Sequence, residues 1–488
     1  MTLPRSAGIL LHPTSLPGPN GIGELGTQAH RFLDVLAEAG MTIWQVLPLG
    51  PTGYGDSPYQ TFSAFAGNPL LIAVGDDGTE FPKHTVDFES IIPHKRALLR
   101  KAIAAYEPDA KFHAFAKAHA SWLDDYALFM AIKDAHDGAG WTAWERPIAM
   151  RDPAALTQWR AKLAAQIDRY RVEQYFFYTQ FDALRRAAAQ RGIRIMGDVP
   201  IYVAHDSADV WADRHAFRLR EDGRPLVLAG VPPDYFSATG QLWGNPIYDW
   251  GAMRADGYSW WIRRMRAAFE LYDIVRVDHF RGFEAYWEVD GDAPTAAKGR
   301  WVPGPGAPLF DALTAALGPL PIVAENLGVI TPAVEALREQ FGYPGMSILQ
   351  FAFGPEAESD EFRPHNFARS TVVYTGTHDN DTTIGWWKYT GEGDSTRASE
   401  AVMREKQFAL EYLDADGTAM NWTFIRAALA SVADTVIIPL QDVLGAGSEA
   451  RMNLPGRGSG NWRFRFSWDQ LTPEMVRRLR RMVEIYER

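Results

Sequence analysis

Short apolar runs recur along the chain, and each of them ends in a polar loop or in a loop rich in glycine and proline. Most of these runs lack strict alternation of apolar and polar residues, a pattern typical of strands that are covered on both faces. The sequence therefore predicts buried strands at eight places, which are residues 7–11, 42–47, 193–197, 274–277, 321–324, 347–351, 371–375 and 435–439.

Helical patterns precede several of the predicted strands. Apolar residues recur at helical spacing within 27–39, 171–190 and 260–271, ahead of the second, third and fourth strands. A repeated order of strand, loop, helix and strand implies a parallel sheet. Eight such strands predict the α/β class and, within it, a (β/α)₈ TIM barrel.

The predicted strands are unevenly spaced. A helix-rich interval at 54–186 separates the second strand from the third, and a loop-rich interval at 202–258 separates the third from the fourth. The second interval is rich in glycine, proline, aspartate and aromatic residues. We interpret both as helical and loop insertions on the C-terminal face of the barrel, so that residues 1–488 form a single catalytic barrel.

Composition narrows the classes of function. The 488 residues carry a formal net charge of −11, which does not favour binding to nucleic acid or to an anionic membrane. The chain has no cysteine, which excludes disulfides, thiolate nucleophiles and zinc-thiolate sites. No apolar stretch approaches a membrane span, and the apolar part of the N-terminus is too short for a signal peptide, so we expect a cytoplasmic protein. The 17 Trp, 18 Tyr and 26 Phe indicate a large aromatic core or a ligand with flat apolar faces.

Acidic residues follow four of the predicted strands, at the ends where a barrel carries its chemistry. They are Asp198, Asp278, Glu325 and Asp379. Arg276 lies two residues before Asp278, so the two side chains face the same side of their strand. Converging carboxylates repel each other, which raises the pKa of one and leaves another ionised. Glycoside chemistry needs this combination, with one carboxylate as nucleophile and one protonated carboxyl as acid.

The motifs around these acidic residues resemble a known family. The strand ends read Gly-Asp-Val-Pro-Ile-Tyr at 197–202, Arg-Val-Asp-His-Phe-Arg-Gly at 276–282 and Ala-Glu-Asn-Leu-Gly at 324–328. Further matching segments lie at residues 8–17, 44–59, 206–211, 230–236, 240–246, 375–381 and 451–453. Over nearly the whole chain, this set is similar to the 4-α-glucanotransferases of glycoside hydrolase family 77, in the α-amylase clan.

The resemblance implies roles for individual residues. Asp278 corresponds to the nucleophile, Glu325 to the general acid/base, and Asp379 to the carboxylate that stabilises the transition state. Arg276 corresponds to the group that orients and charges the nucleophile. The substrate-binding and supporting positions of the family correspond to Tyr54, Ser57, Tyr59, Asp198, Tyr235, Phe236, Trp243, Asn245, His279, Asn326 and His378.

The resemblance also implies an activity, the transfer of a 1,4-α-glucan segment to the 4-hydroxyl of an acceptor glucan or glucose through a covalent glycosyl-enzyme. Retention predicts that the carboxyls of Asp278 and Glu325 lie about 5 Å apart. We expect no metal and no cofactor, because sugar, carboxylates and an acceptor suffice. The expected partners are donor and acceptor maltooligosaccharides and amylose, without nucleic acid or membrane. The expected quaternary state is a monomer or a homodimer.

Three other interpretations remain open at this point. An α-glucan hydrolase of the same clan would carry the same carboxylates. A non-catalytic glucan-binding protein would not need both an acid and a nucleophile. A metal-dependent barrel hydrolase would leave Glu325 without a role, and its candidate ligands are His12, Asp198, His205, His279, His378 and Asp379.

Overall fold

A computed structural model describes residues 4–233, 239–354, 357–391 and 399–488. Its strands in chain order are β1 (Ser6–Leu10), β2 (Ile43–Gln45), β3 (Arg194–Val199), β4 (Val227–Val231), β5 (Gln241–Pro246), β6 (Ile274–Val277), β7 (Ala285–Asp290), β8 (Gly299–Pro303), β9 (Ile322–Ala324), β10 (Gly345–Ile348), β11 (Thr371–Tyr374) and β12 (Thr435–Pro439).

The helices alternate with these strands or fill the long intervals between them. In chain order they are α1 (Thr27–Glu38), α2 (Phe88–Ala104), α3 (Ala110–Ala118), α4 (Ala120–Ala135), α5 (Arg146–Ala149), α6 (Pro153–Lys162), α7 (Ala164–Gln190), α8 (Ala208–Ala212), α9 (Trp250–Ala255), α10 (Ser259–Leu271), α11 (Ala307–Leu317), α12 (Pro332–Gln340), α13 (Thr383–Lys388), α14 (Ser399–Leu413), α15 (Met420–Ala430), α16 (Leu440–Leu444) and α17 (Pro473–Ile485).

One parallel sheet organises the molecule. Across the described ranges it has eight strands in the order β10-β11-β12-β1-β2-β3-β6-β9. The two end strands meet where the N–H of Ala324 donates to the carbonyl of Pro344 at 2.9 Å. The sheet is thus nearly closed on itself, and the predicted (β/α)₈ barrel is confirmed. Each of the eight predicted apolar runs overlaps one of its strands.

Burial explains why the apolar runs form these strands. Every residue of β1 and of β12 is buried, as expected for strands with side chains of the barrel interior on one face and helices on the other. The helices present an apolar stripe to the sheet. In α1, for example, the buried positions are Ala29, Phe32, Leu33 and Leu36, which follow helical spacing.

The aromatic surplus goes largely into this core. Trp44, Trp141, Trp211, Trp260 and Trp261 are among the largest fully buried side chains. The indole N–H of Trp44 on β2 donates to the carbonyl of Leu11 at 2.8 Å, so a buried polar group is paired at the end of the neighbouring strand.

A second, antiparallel sheet was absent from the prediction. In the described part of the chain it has four strands in the order β5-β4-β7-β8. Two of them lie inside the interval 202–258, which the sequence presented as loop-rich, and two follow the barrel strand β6. The interval 54–186 holds α2 to α6 and most of α7, in keeping with its helical pattern. Strand β4 pairs with β7, which is far away in the sequence, so no local pattern predicts this pairing.

Candidate active site

Asp278 lies at the C-terminal end of β6, and a guanidinium group holds it. Arg276, two residues earlier on the same strand, donates from Nη2 to Asp278 Oδ1 at 2.7 Å. The arginine side chain is 5% exposed and the aspartate side chain 28% exposed. This ion pair fixes the orientation of a carboxylate that remains open on its other side.

A second carboxylate lies beneath that pair. Asp198 on β3 is in register with Arg276 on β6, and Arg276 Nη1 donates to Asp198 Oδ2 at 2.5 Å. The hydroxyl of Tyr59 donates to the same oxygen at 2.6 Å. Burial raises the pKa of Asp198, and the guanidinium opposes that shift. Burial would lower the pKa of Arg276, but Asp198 and Asp278 together hold it well above its ordinary value.

Glu325 occupies the equivalent position on the neighbouring strand. Val277 of β6 pairs with Ala324 of β9, so Asp278 and Glu325 are the next residues on two adjacent parallel strands. Burial, and then the charge of Asp278, raise the pKa of Glu325 to about 7. A carboxyl with such a pKa is largely protonated just below neutral pH, as a general acid requires.

Two backbone N–H groups bind the carboxyl of Glu325. Oε2 accepts from the N–H of His279 at 2.6 Å, and Oε1 accepts from the N–H of Leu327 at 2.9 Å. Both bonds favour the ionised form and so limit the rise of the Glu325 pKa. They also restrict the orientation of the group, which is otherwise free to rotate about its side-chain bonds.

His279 reaches this position through an unusual backbone conformation. Its φ is 50° and its ψ 50°, in the left-handed region that non-glycine residues rarely adopt. Burial lowers the pKa of the His279 ring to about 4, so the imidazole is neutral near pH 7. The ring of Trp243 meets it edge to face at 4.8 Å between centroids. A neutral ring here can donate or accept one hydrogen bond with a sugar hydroxyl.

Asp379 follows β11 and lies on the more exposed rim. Its Oδ1 accepts from Asn453 Nδ2 at 2.6 Å and lies 3.4 Å from His378 Nε2. The carbonyl of Asp379 accepts from Arg451 Nη2 at 2.5 Å. The side chain of Asp379 is 47% exposed and that of His378 only 5%. Asp379 is therefore fixed on one side and free to meet a ligand on the other.

Comparison with known proteins identifies the family to which this arrangement belongs. The family model of the 4-alpha-glucanotransferases matches residues 11–472. The chain belongs to the 4-alpha-glucanotransferase family. It is 49% identical to the 4-alpha-glucanotransferase of Thermus thermophilus, with all of both chains covered. It is 48% identical to the 4-alpha-glucanotransferase of a Synechocystis species, with 99% of this chain and 98% of the relative covered.

Solved structures agree with the sequence relatives. The amylomaltase of Streptococcus agalactiae in complex with acarbose superposes with a TM-score of 0.94 at 38% identity, and 99% of each chain is covered. The amylomaltase of Corynebacterium glutamicum shares the fold, with a TM-score of 0.81 at 19% identity over 98% of this chain and 75% of that one. This chain is therefore a 4-alpha-glucanotransferase by activity, an enzyme of starch and maltodextrin metabolism. The predicted family, fold and enzyme class are confirmed.

Aromatic rings form one wall of the transferase's site. Tyr59 stacks on the ring of His378 with 5.2 Å between centroids and an interplanar angle of 15°. Trp462 lies against both, at 5.8 Å from Tyr59 and 5.9 Å from His378. His378 and Trp462 are buried, so the three rings hold one another in place beside the predicted donor site. Trp462 was missed in the sequence, because it lies in a loop without a motif of its own.

The other predicted binding residues lie in the loop after β2 and on strand β5. Tyr54 is 80% exposed and Ser57 accepts from the N–H of Tyr59 at 3.2 Å, so the hydroxyl of Ser57 helps shape this loop. Asn245 is buried and donates from Nδ2 to the carbonyl of Val203 at 2.9 Å.

Gln60 links the loop after β2 to β5, and no motif in the sequence indicates this role. Its Nε2 donates to the carbonyl of Trp243 at 3.4 Å and lies 3.5 Å from Asn245 Oδ1. The loop after β2 is thereby joined to β5 on one side of the cleft.

Asn326 is bound to the scaffold. Its Nδ2 donates to Glu335 Oε1 at 2.8 Å, and its Oδ1 accepts from the N–H of Met346 at 2.7 Å. The amide thus ties the loop after β9 to α12 and β10. The contact of Asn326 with substrate stays a prediction, since each polar atom of the amide can form a second hydrogen bond.

Two predicted residues, Tyr235 and Phe236, lie outside the described residues. Asn453 and Arg451, which hold Asp379, belong to the matching segment 451–453, and the sequence alone does not indicate this role. Within residues 4–233, 239–354, 357–391 and 399–488, no three histidine, aspartate or glutamate side chains are grouped to hold a metal ion. None of the helices in those ranges is long and apolar enough to cross a bilayer.

Proposed function

We propose that Asp278, Glu325 and Asp379 catalyse transfer by a retaining double displacement, with Asp278 as nucleophile and Glu325 as acid and then base. One observation carries this assignment. Two carboxyl groups follow paired residues on adjacent strands, and one is ion-paired with Arg276 whereas the pKa of the other is raised to about 7.

The first step forms a glycosyl-enzyme. Asp278 attacks the anomeric carbon as the glycosidic bond breaks, and Glu325 gives its proton to the departing oxygen. The fragment on the acceptor side leaves with a new 4-hydroxyl group. Glu325 becomes an anion as the negative charge of Asp278 is consumed in the covalent bond, so the step does not leave two free carboxylate anions side by side.

The second step reverses the first with a new partner. The ionised Glu325 removes the proton from the 4-hydroxyl of an incoming glucan, whose oxygen attacks the anomeric carbon and displaces Asp278. The bond broken and the bond formed are both α-1,4 linkages, so no cofactor has to drive the reaction. Configuration is retained because two inversions occur.

The remaining residues position the sugar at the cleaved bond. Asp379 and His378 approach from the rim and would bind hydroxyl groups of the donor sugar, where hydrogen bonds that strengthen in the transition state lower the barrier. Tyr59 offers its ring, while its hydroxyl is committed to Asp198. Tyr54, Trp243 and the neutral His279 extend the surface along the glucan.

Transfer competes with hydrolysis at the glycosyl-enzyme. The resemblance to the family implies that Tyr235 and Phe236 bind the acceptor, and rings that stack on an acceptor sugar would raise its local concentration relative to water. Acarbose, which occupies the amylomaltase of Streptococcus agalactiae, supports oligosaccharide binding in a cleft of this shape.

Maltotriose as sole substrate tests the proposal. Transfer converts it to glucose and longer maltooligosaccharides without a net gain of reducing ends, whereas hydrolysis raises reducing ends steadily. Accumulation of reducing ends at the rate of glucose release would contradict transfer. A covalent adduct trapped with a fluorinated glycosyl donor and located by peptide mass spectrometry identifies the nucleophile, and a label on any residue other than Asp278 overturns its assignment.

We further propose that the partners are α-1,4-glucan donors and acceptors and that the enzyme acts in the cytoplasm. The plant relatives are chloroplastic or amyloplastic, whereas the chain is also close to bacterial relatives. Cell fractionation tests the location, and light scattering decides between a monomer and a homodimer.

A further inference from the structure

Arg281 is a buried cation that the proposed mechanism does not use. It lies in the short turn Phe280–Phe283 that follows Asp278 and His279, and it is 7% exposed. Its Nη1 donates to the carbonyl of Val329, in the loop that follows Glu325. The side chain therefore crosses from the loop of the nucleophile to the loop of the acid/base.

An indole ring covers this crossing. The guanidinium carbon of Arg281 lies 3.7 Å from the ring centroid of Trp301, on β8 of the antiparallel sheet. Trp301 in turn meets Trp287 of β7 edge to face at 5.3 Å. A guanidinium stacked on an indole is held both by cation–π attraction and by its flat shape.

The antiparallel sheet is anchored to the same loop. The N–H of Gly304 donates to the carbonyl of Glu284 at 2.7 Å, and the N–H of Gly306 donates to the carbonyl of Phe283 at 2.9 Å. The hairpin β7–β8 thus leaves the loop of the nucleophile and returns to it. Trp301 therefore lies over Arg281 on a hairpin whose two ends are both hydrogen-bonded to the loop of the nucleophile.

The two loops that Arg281 joins also supply the donors to Glu325. The N–H of His279 comes from one loop and the N–H of Leu327 from the other. The N–H of Phe280 adds a third link, to the carbonyl of Glu325 at 3.1 Å. Val329, whose carbonyl Arg281 holds, lies two residues after Leu327 and is 62% exposed.

We propose that Arg281 is a positioning residue for the acid/base: together with Trp301 it holds the loop 325–330 so that both N–H groups stay on the carboxyl of Glu325. This inference rests on the proposed role of Glu325 and adds a task for the antiparallel sheet. Loss of one N–H donor favours the neutral carboxyl, so the pKa of Glu325 rises when the link is cut.

The test compares Arg281→Met and Arg281→Lys with the native enzyme. With maltotriose we expect Arg281→Met to lower kcat about 10- to 100-fold with little change in KM, the range expected for misplacement of a catalytic group. The basic limb of its pH profile should move to higher pH. Arg281→Lys keeps the charge but loses the flat fork, so it should behave like Arg281→Met. A lysine variant with native rate and pH profile would overturn the proposal.

A second pair of substrates isolates the acid/base. An α-maltosyl fluoride donor needs no proton for its leaving group, and azide as acceptor has no proton to lose. Fluoride departs as Asp278 attacks, and azide then displaces Asp278, so neither step uses Glu325. Arg281→Met should retain a rate within about threefold of native in this assay. An equal loss in both assays would overturn the positioning role.

Glu325→Ala distinguishes failure of this inference from failure of the proposed function. If Glu325→Ala loses maltotriose transfer but works with fluoride and azide, the acid/base is correct and Arg281 is judged on its own data. If Glu325→Ala fails in both assays, the role of Glu325 itself is wrong.

Two further variants guard against trivial effects. Trp301→Leu removes the indole ring that covers Arg281 and keeps the arginine, so it should show the same pattern more weakly. It serves as the test if Arg281→Met does not fold. Arg300→Met is the matched control, since Arg300 lies next to Trp301 on β8 and the variant also loses a guanidinium group. Its side chain is 71% exposed, and Glu288, its ion-pair partner, is also paired with Arg218. A change in pH profile for Arg300→Met would attribute the effect to the hairpin as a whole and contradict the assignment to Arg281.

Discussion

On the β6 side of the cleft, a side chain holds the catalytic carboxyl, since Arg276 places a full positive charge against Asp278. On the β9 side, backbone N–H groups of His279 and Leu327 hold Glu325, and they carry only partial charges. Both carboxyls follow residues that pair across adjacent strands. Position on the barrel brings the two carboxyls together, whereas burial and the charge of Asp278 raise the pKa of Glu325 against the opposing effect of its two N–H donors.

Asp278→Asn tests the ion-paired side most directly. The amide keeps the shape of the carboxyl but cannot form the glycosyl ester, so kcat should fall by about 10⁴-fold or more. The drop in maltotriose transfer measures it, with the thermal midpoint as a check on folding. Transfer within tenfold of native would remove Asp278 from the role of nucleophile.

Glu325→Ala tests the other side. Loss of a general acid and base costs about 10²- to 10⁴-fold, so maltotriose transfer should fall by that amount. The loss should shrink with a donor whose leaving group needs no proton. A loss of the same size with both donors would show that Glu325 does not act by proton transfer.

Arg276→Met removes the cation that distinguishes the two sides of the cleft. It leaves Asp198 and Asp278 near each other without their shared cation, so we expect kcat to fall about 100-fold and the free energy of unfolding to fall by about 3 kcal/mol at neutral pH. Chemical denaturation measures the second effect. Burial raises the pKa of Asp198 and Arg276 opposes that shift, so without Arg276 the carboxyl takes up a proton more readily and stability should recover in part at lower pH. A variant with the same unfolding free energy at pH 5 and pH 8 would contradict this.

The pH profile of the native enzyme reports on the protonation of Glu325. The pKa of Glu325 is raised to about 7, and the acid form is needed in the first step, so kcat/KM should decline tenfold per pH unit above that value. The basic limb should disappear with a fluoride donor and a nucleophilic anion as acceptor. A basic limb that stays in place would assign it to a different group.

Tyr59→Phe should have the smallest effect. It removes the hydroxyl that donates to Asp198 and keeps the ring that stacks on His378. One hydrogen bond to a charged group is worth about 2 kcal/mol, of which only part reaches Asp278 through Arg276, so we expect kcat to fall about tenfold or less. Tyr59→Ala is the matched variant, which also removes the ring. If the two variants lose the same activity, the stacked ring contributes nothing.

The barrel could be predicted because each strand is a short local pattern. Residues 274–277 form β6 as predicted, whereas the sixth run was predicted at 347–351 and β10 lies at Gly345–Ile348. There the chain turns into a single 3₁₀ turn at Leu349–Phe351, whose apolar residues looked like a continued strand. Strand ends of this kind depend on hydrogen bonds to neighbours, which no local pattern records.

The antiparallel sheet could not be predicted for the same reason. Its strand β4 pairs with β7, about sixty residues later, and the barrel strand β6 lies between them in the chain. The strand β8 is exposed at most of its positions, so it shows little apolar pattern. The contact of Trp301 on β8 with Arg281 depends on where the hairpin β7–β8 packs in the folded protein.

The sequence by itself determined the set of chemical groups and the end of the barrel that carries them. Spacing of two placed Arg276 and Asp278 on one face, and the order of the runs placed Glu325 on a neighbouring strand. Tertiary structure decided the pKa and the orientation of the acid/base carboxyl. Burial and the charge of Asp278 raise the pKa of Glu325, and the left-handed turn at His279 aims an N–H group at it. These effects arise from distances between residues remote in sequence, because electrostatic energy depends on separation in space and on exclusion of water.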